Sequence, residues 1–427
     1  MKSSLLVALG FCATAVVAQS PEKIIKVKEV TRIETALAAD EMMGRRTGTP
    51  GIEKAADFIA AEFKKIGLKT WPGLTSYRQE FSILRARALS TTASWNDQAL
   101  AANAVMVITP QAELTVNNAS GYNTIKIAGG DNLFEKAQEI AASGKAALVL
   151  VDKAHEKNFP RLSFLRRSIT KDQSNLVFVL TNDAASSFAI QYKQEITEQK
   201  MANVVGVLPG KSKANEYVVF SGHYDHLGIG KPDAKMDSIF NGANDDAAGT
   251  TAMIMLAKYY KKAKNNERTL VFAAFTAEEV GGFGSQYFSK QMDPNQVMAM
   301  FNIEMIGTDS KWGKNSAYIT GFEQTNMGAI LQKNLEGTGF NFYPDPYPDQ
   351  QLFYRSDNAT LARLGVPAHT ISTSKMDSEP NYHKQSDEVS TLDMENMTQI
   401  IRSIALSARG IVAGKETPTR VNTKNLR

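Results

Sequence analysis

Histidine is scarce in this chain, five in 427 residues, so the run Gly222-His223-Tyr224-Asp225-His226 draws attention. A neutral imidazole is a good zinc ligand, and a nearby aspartate can fix its tautomer and raise its basicity. Alone, such a pair is more often an ordinary polar contact in a loop. Asp245 and Asp246 open an apolar-periodic stretch. By themselves they would serve as caps that favour the positive end of a helix dipole. Glu278 and Glu279 follow the apolar run Leu270 to Phe275 directly. Adjacent carboxylates at the end of a buried strand repel each other, and a bound cation would relieve them. Glu304 stands within the apolar run Val297 to Met305. A lone buried carboxylate is costly unless paired or metal-bound, and the plain alternative is a side chain turned to a polar face. His383 lies in the polar loop Asn381 to Asp387 and would be unremarkable on its own.

The elements that must position these groups are legible from apolar periodicity. Tyr217 to Phe220, Leu270 to Phe275, Val297 to Met305 and Val366 to Ile371 read as strands. Ala248, Ala252, Met255 and Tyr259 recur at helical spacing between the first two of them. Such alternation predicts an α/β sheet with parallel strands and helices on both faces. The potential ligands stand at or just past strand ends, where α/β sheets collect their binding residues. An earlier helix starts at Thr49-Pro50, carries Ile52, Ala56, Ile59 and Phe63 on one face, and stops at Gly67. Residues 99–200 differ in texture. Ala146 to Val151 and Leu176 to Leu180 are Val-rich buried strands, irregular polar connections separate them, and no His, Asp and Glu cluster occurs there. That segment reads as a smaller β-rich insertion without chemistry, between residues 19–98 and 201–413 of one larger domain; residues 414–427 read as a flexible tail.

The order His, Asp, Glu-Glu, acid, His resembles the zinc exopeptidases of peptidase family M28. The resemblance extends to Gly44-Arg45-Arg46-Thr47-Gly48-Thr49-Pro50-Gly51 and to Ser356-Asp357 ahead of Gly365-Val366-Pro367-Ala368. It implies the zinc exopeptidase fold, a mixed sheet with helices on both faces, and two zinc ions. It makes His223 and Glu304 ligands of one ion, Glu279 and His383 ligands of the other, and Asp245 the bridge. Glu278 becomes the general base, Asp225 the partner of His223, and Tyr382 the group that steadies the developing oxyanion. It also implies a cis peptide between Asp245 and Asp246. The insertion, with Gly144-Lys145 entering its Ala146 strand, is similar to a protease-associated domain. Two positions depart from the family: Glu304 replaces a frequent Asp, and Asn358 a frequent His, the latter expected to be peripheral.

The implied reaction is removal of N-terminal residues from peptides with a free N-terminus. Rival readings are a carboxypeptidase, for which Arg355 and Arg363 supply cations, a glutaminyl cyclase, and a binding protein on an inactive scaffold. A formal net charge of +4 without a long basic run argues against nucleic acid as a partner. Lys2, the apolar stretch Leu5 to Val17 and Ala18 have the layout of a signal peptide over residues 1–18, too short to span a membrane well. The expectation is an exported protein with no membrane span. Cys12, the one cysteine, lies in that leader, so the mature chain would have no disulfide. Oligomeric state is not legible in the sequence.

Overall fold

The computed structural model describes residues 20–426, so the expected leader lies outside the described residues. Its main sheet runs, edge to edge, through Asn341–Pro344, Ser316–Ile319, Ala368–Ser372, Val297–Ile303, Lys213–His223, Arg268–Phe275, Phe188–Leu208, Arg78–Trp95 and Gln98–Leu100. The central pairs are parallel: Lys213–His223 lies between Val297–Ile303 and Arg268–Phe275, and Ala368–Ser372 extends the group. Antiparallel pairing begins on either side, with Phe188–Leu208 at one flank and Ser316–Ile319 at the other. The sheet is therefore mixed, as expected.

Alternation along the central strands feeds two cores. Phe220, Leu270 and Phe272 face the helices Val27–Leu37, Pro50–Ile66, Ala248–Ala263 and Met394–Ser407. Val219, Val271 and Ala273 face the helix Phe283–Lys290 on the other side. A strand buried on both faces must be apolar throughout, which is why these runs show no polar alternation. Phe220 stacks on Phe272 at 5.6 Å and on Phe301 at 4.9 Å, tying three strands together. Truncating a buried phenylalanine to alanine costs about 3–5 kcal/mol. The helix Pro50–Ile66 has the bounds its sequence predicts, with proline in its first turn and Gly67 at φ 80° ending it. Only a residue tolerant of the left-handed region closes a helix this way without strain.

The central strands are longer or shorter than their apolar runs. Lys213–His223 extends to include His223 itself. Val297–Ile303 stops one residue before Glu304, so that carboxylate is not inside the strand as expected; Met305 then turns at φ 52°. The expected boundary at residues 200 and 201 falls within a continuous strand. Arg78–Trp95 and Phe188–Leu208 form one antiparallel ribbon, Arg78 opposite Val204 and Trp95 opposite Phe188, that runs out of the main sheet into a second lobe. That lobe has a four-stranded sheet of Val105–Ile108, Leu176–Leu180, Ala147–Val151 and Asn123–Ile127, with the helix Leu133–Ala142 packed on it. The residues after Gly414 are not loose, contrary to expectation. The buried Arg268 guanidinium donates to the carbonyl of Glu416 at 2.7 Å and to Thr417 Oγ1 at 2.6 Å. Arg420 donates to the Val297 carbonyl at 2.7 Å, and Val421 is buried. No helix among the described residues is long and apolar enough to cross a membrane.

Candidate metal centre

Three neighbouring parallel strands deliver the first groups. His223 ends the middle one, Glu304 follows the strand on one side, and Glu278 and Glu279 follow the strand on the other. Strands pair about 4.8 Å apart, so their carboxyl ends bring these side chains within reach of one another. Asp245 comes from above, in the irregular turn Ala243–Ala247 that opens the helix Ala248–Ala263, and its peptide to Asp246 is cis. His383 enters on a loop at φ 55°.

His223 Nε2 lies 3.2 Å from Asp245 Oδ1, yet it is buried without a hydrogen bond of acceptable alignment. His383 Nε2 lies 3.2 Å from both Asp245 Oδ2 and Glu279 Oε2. Two ligands of one tetrahedral zinc, each about 2.0–2.2 Å from it, stand roughly 3.3 Å apart. The nitrogens and oxygens therefore have the spacing of groups that face a common point rather than each other. Among the described residues, two sets offer ligand atoms all within 4.8 Å: His223, Asp245 and Glu304, and His226, Asp245 and Glu279. Asp245 belongs to both. The donor set, mixed nitrogen and carboxylate with an unpartnered buried imidazole, fits two divalent cations.

Electrostatics agree. Burial pushes Glu304 up to about 7, and burial with the nearby Glu304 and Asp357 carboxylates drives Glu278 well above its ordinary range. Burial works against an ionised Asp245, but the His223 and His383 imidazoles outweigh it and hold Asp245 below the usual carboxylate range. The Asp245 and Glu279 carboxylates raise His383 to about 10. Carboxylates collected at this density are stable in charged form only beside positive charge.

The surrounding hydrogen bonds fix the groups in place. His223 Nδ1 meets the carbonyl of Asp225 at 3.1 Å, while the Asp225 carboxylate is 3.8 Å away. The orienting acceptor is thus the backbone of Asp225, where the sequence suggested its side chain; in that tautomer Nδ1 carries the proton and Nε2 stays free. The Asp225 carboxylate instead accepts the Glu278 amide at 3.1 Å, and burial pushes it up to about 7. Asp246 accepts the amides of His223 at 3.1 Å, Gly249 at 3.0 Å and Met305 at 3.1 Å, lacing three segments together. Gly249 is required there, since a Cβ would stand 2.0 Å from the Ile303 carbonyl. Asp387 accepts the amides of Asn244 at 2.8 Å and Asp245 at 3.0 Å. Arg45 is buried and donates to the carbonyls of Tyr224 at 2.9 Å and Gly242 at 2.9 Å.

All five expected ligands and Glu278 meet in one cleft, and Tyr382 lines it, stacked on the His383 ring at 3.9 Å. Sequence reasoning assigned no role to His226, whose Nδ1 lies 2.8 Å from Glu279 Oε1. The signal was present: it makes His223, His226 and His383 three of the five histidines at one place. Asn358, expected to be peripheral, is buried and accepts the Thr370 hydroxyl at 2.8 Å behind the cleft wall. His369 is structural, held between the Thr320 carbonyl and the Thr325 hydroxyl, each at 2.8 Å.

The family model that matches residues 203–408 is that of peptidase family M28, and its span contains every one of the expected ligands. The chain carries a peptidase family M28 domain. It is 29% identical over 206 residues to a probable leucine aminopeptidase of Trichophyton verrucosum, covering 46% of this chain and 54% of that one. It is 24% identical over 329 residues to aminopeptidase YwaD of Bacillus subtilis, covering 71% and 67%. The chain thus spans about half the length of the leucine aminopeptidases it matches. In fold it is similar to BSAP, a zinc aminopeptidase from Bacillus subtilis, with a TM-score of 0.55, 17% identity, and 94% and 97% of the two chains covered. It is also similar to an aminopeptidase from Aneurinibacillus sp. strain AM-1, with a TM-score of 0.54, 16% identity, and 91% and 94% covered.

Proposed function

We propose that this chain is an exported di-zinc aminopeptidase that removes N-terminal residues from peptides. The observation that carries the reading is the pair of 3.2 Å approaches by which His223 and His383 face the two oxygens of one buried carboxylate, Asp245. His223 and Glu304 would hold one zinc, His383 and Glu279 the other, with Asp245 between them. Bound zinc supplies a Lewis acid for the scissile carbonyl and a water of lowered pKa. Glu278 takes the proton of the attacking water and returns it to the departing amine. Its position suits a base, because its amide is pinned to Asp225 while its side chain lines the cleft. The Tyr382 hydroxyl, in the same wall, donates to the oxygen that gains charge. The similarity to named aminopeptidases supports the choice of substrate end, and the leader-like residues 1–18 support export. The second lobe, similar in sequence pattern to a protease-associated domain, contributes none of these groups.

A panel of aminoacyl substrates with free and blocked α-amino groups tests the reading. Hydrolysis confined to free amines is expected. Cleavage of blocked peptides from the carboxyl end would replace it with the carboxypeptidase reading.

A further inference from the structure

Beyond the acidic cluster the cleft has a wall of another character. Tyr318, Thr320, Leu352, Thr370 and Met376 line it, and none is ionised at neutral pH. Arg355 is the one lysine or arginine in that lining. It follows the short turn Leu352–Tyr354 and directly precedes Ser356, which also lines the cleft. Arg355 and Ser356 therefore bring a cation and a hydroxyl to the same cleft as Glu278 and Glu304.

The guanidinium is under-used. Nη1 donates to the neutral Gln350 side chain at 3.1 Å, and no ion pair with a described residue engages it. Its field reaches across the cleft, where it opposes the upward effect of burial on the Tyr382 phenol. Thr320 Oγ1 accepts the Thr370 amide at 3.2 Å and has no acceptor for its own hydrogen among the described residues. None of the acids that share the cleft, Asp245, Glu278, Glu279 and Glu304, forms an ion pair with the guanidinium. Asp345 accepts the Tyr347 amide at 2.8 Å, Glu379 lies 3.5 Å from the Ser374 hydroxyl, and neither of these two lines the cleft. Arg363, the other candidate cation, lies over the Tyr354 ring, 5.9 Å from its centroid, and is absent from the lining. An arginine fork and a free hydroxyl donor lining one cleft match a carboxylate.

We propose that Arg355 determines specificity by binding a substrate carboxylate, so that peptides presenting a negative charge within one residue of the scissile bond are preferred. The inference rests on the aminopeptidase reading. Two sources share the chemistry: the side chain of an N-terminal Asp or Glu, and the terminal carboxylate of a dipeptide.

The test compares kcat/KM of the zinc-loaded wild type, Arg355→Gln and Arg355→Lys on three pairs: glutamyl and leucyl anilides, glutamyl and glutaminyl anilides, and Leu-Leu with and without C-terminal amidation. Arg355→Gln is expected to lower the acidic-to-neutral ratio about tenfold in one of these pairs, with the loss in KM and partial return in Arg355→Lys. Loss in the anilide pairs assigns the side chain as the source, and loss in the dipeptide pair assigns the terminus. Ratios that do not move in any pair overturn the proposal. Failure of the wild type to cleave any free-amine substrate would instead overturn the aminopeptidase reading, so the two failures are distinct.

Discussion

Both lobes of this chain contain parallel strands whose carboxyl ends carry polar residues, but those residues have different fates. In the second lobe, Asp131 accepts the Ala128 amide at 2.7 Å after the first strand. Asp152 accepts the Ala154 amide at 2.9 Å after the next, and Asn182 accepts the Lys153 amide at 2.9 Å after the third. His155 is similarly settled, with Nε2 2.9 Å from the Ala128 carbonyl. Asp131 and Asp152 close local turns, Asn182 and His155 tie one strand end to the next, and each is satisfied by backbone of its own lobe. In the main lobe the equivalent ends hold His223, Glu278, Glu279 and Glu304, gathered around Asp245, with His223 Nε2 buried and unpartnered among the described residues. Polar residues at strand ends are therefore not the signature of a site. Unsatisfied convergence is, because several buried polar groups left unpaired together are costly unless something else binds them.

The largest effect expected from breaking this contrast comes from Glu278→Gln. It should lower kcat by about 10²–10⁴ while zinc content stays unchanged, as measured by steady-state kinetics and elemental analysis. Retained turnover would remove Glu278 from the mechanism.

Deeper in the main lobe, Glu34 is buried with one oxygen accepting the Thr251 hydroxyl at 2.7 Å and the other unpartnered. Burial pushes it up to about 8, against an ordinary value of 4.5. The folded state holds that proton more tightly, so its contribution to stability is full below about 4.5 and is lost as pH rises through 8. Denaturant unfolding of Glu34→Gln should show a flatter decline between pH 5 and 8, by on the order of a few kcal/mol. Identical pH profiles would show that Glu34 is ionised throughout.

A smaller effect should follow His226→Phe, which removes the contact to Glu279. Zinc affinity at the Glu279 and His383 site is expected to fall about 10- to 100-fold in chelator competition, the range for loss of a group that orients a ligand. Unchanged affinity for both zinc ions would make His226 a packing residue. The smallest effect belongs to the second lobe: Asp152→Ala should cost about 0.5–1 kcal/mol of stability by thermal unfolding and leave kcat/KM as it was. A large loss of activity there would break the contrast between the lobes.

What the sequence reveals follows the same division between local and long-range information. The Pro50–Ile66 helix and the Leu176–Leu180 strand have the predicted bounds because their caps and apolar runs are local signals. The ligand types are legible because paired acids and rare histidines are costly in apolar surroundings. The ribbon from Arg78–Trp95 to Phe188–Leu208 is not, since its register joins residues about a hundred positions apart and no turn marks the lobe boundary. The use of the Asp225 carbonyl in place of its carboxylate depends on backbone direction, which residue types do not encode. The C-terminal residues looked polar and loose because their partners, Arg268 and Val297, lie far away in sequence.

The central claim is that separated side chains of this chain form a paired cation site. Elemental analysis of the purified, dialysed protein, with folding checked by circular dichroism, tests it most directly. The account predicts about two zinc ions per chain, falling sharply in Asp245→Asn. Well under one zinc per folded chain, unchanged by that substitution, would contradict it.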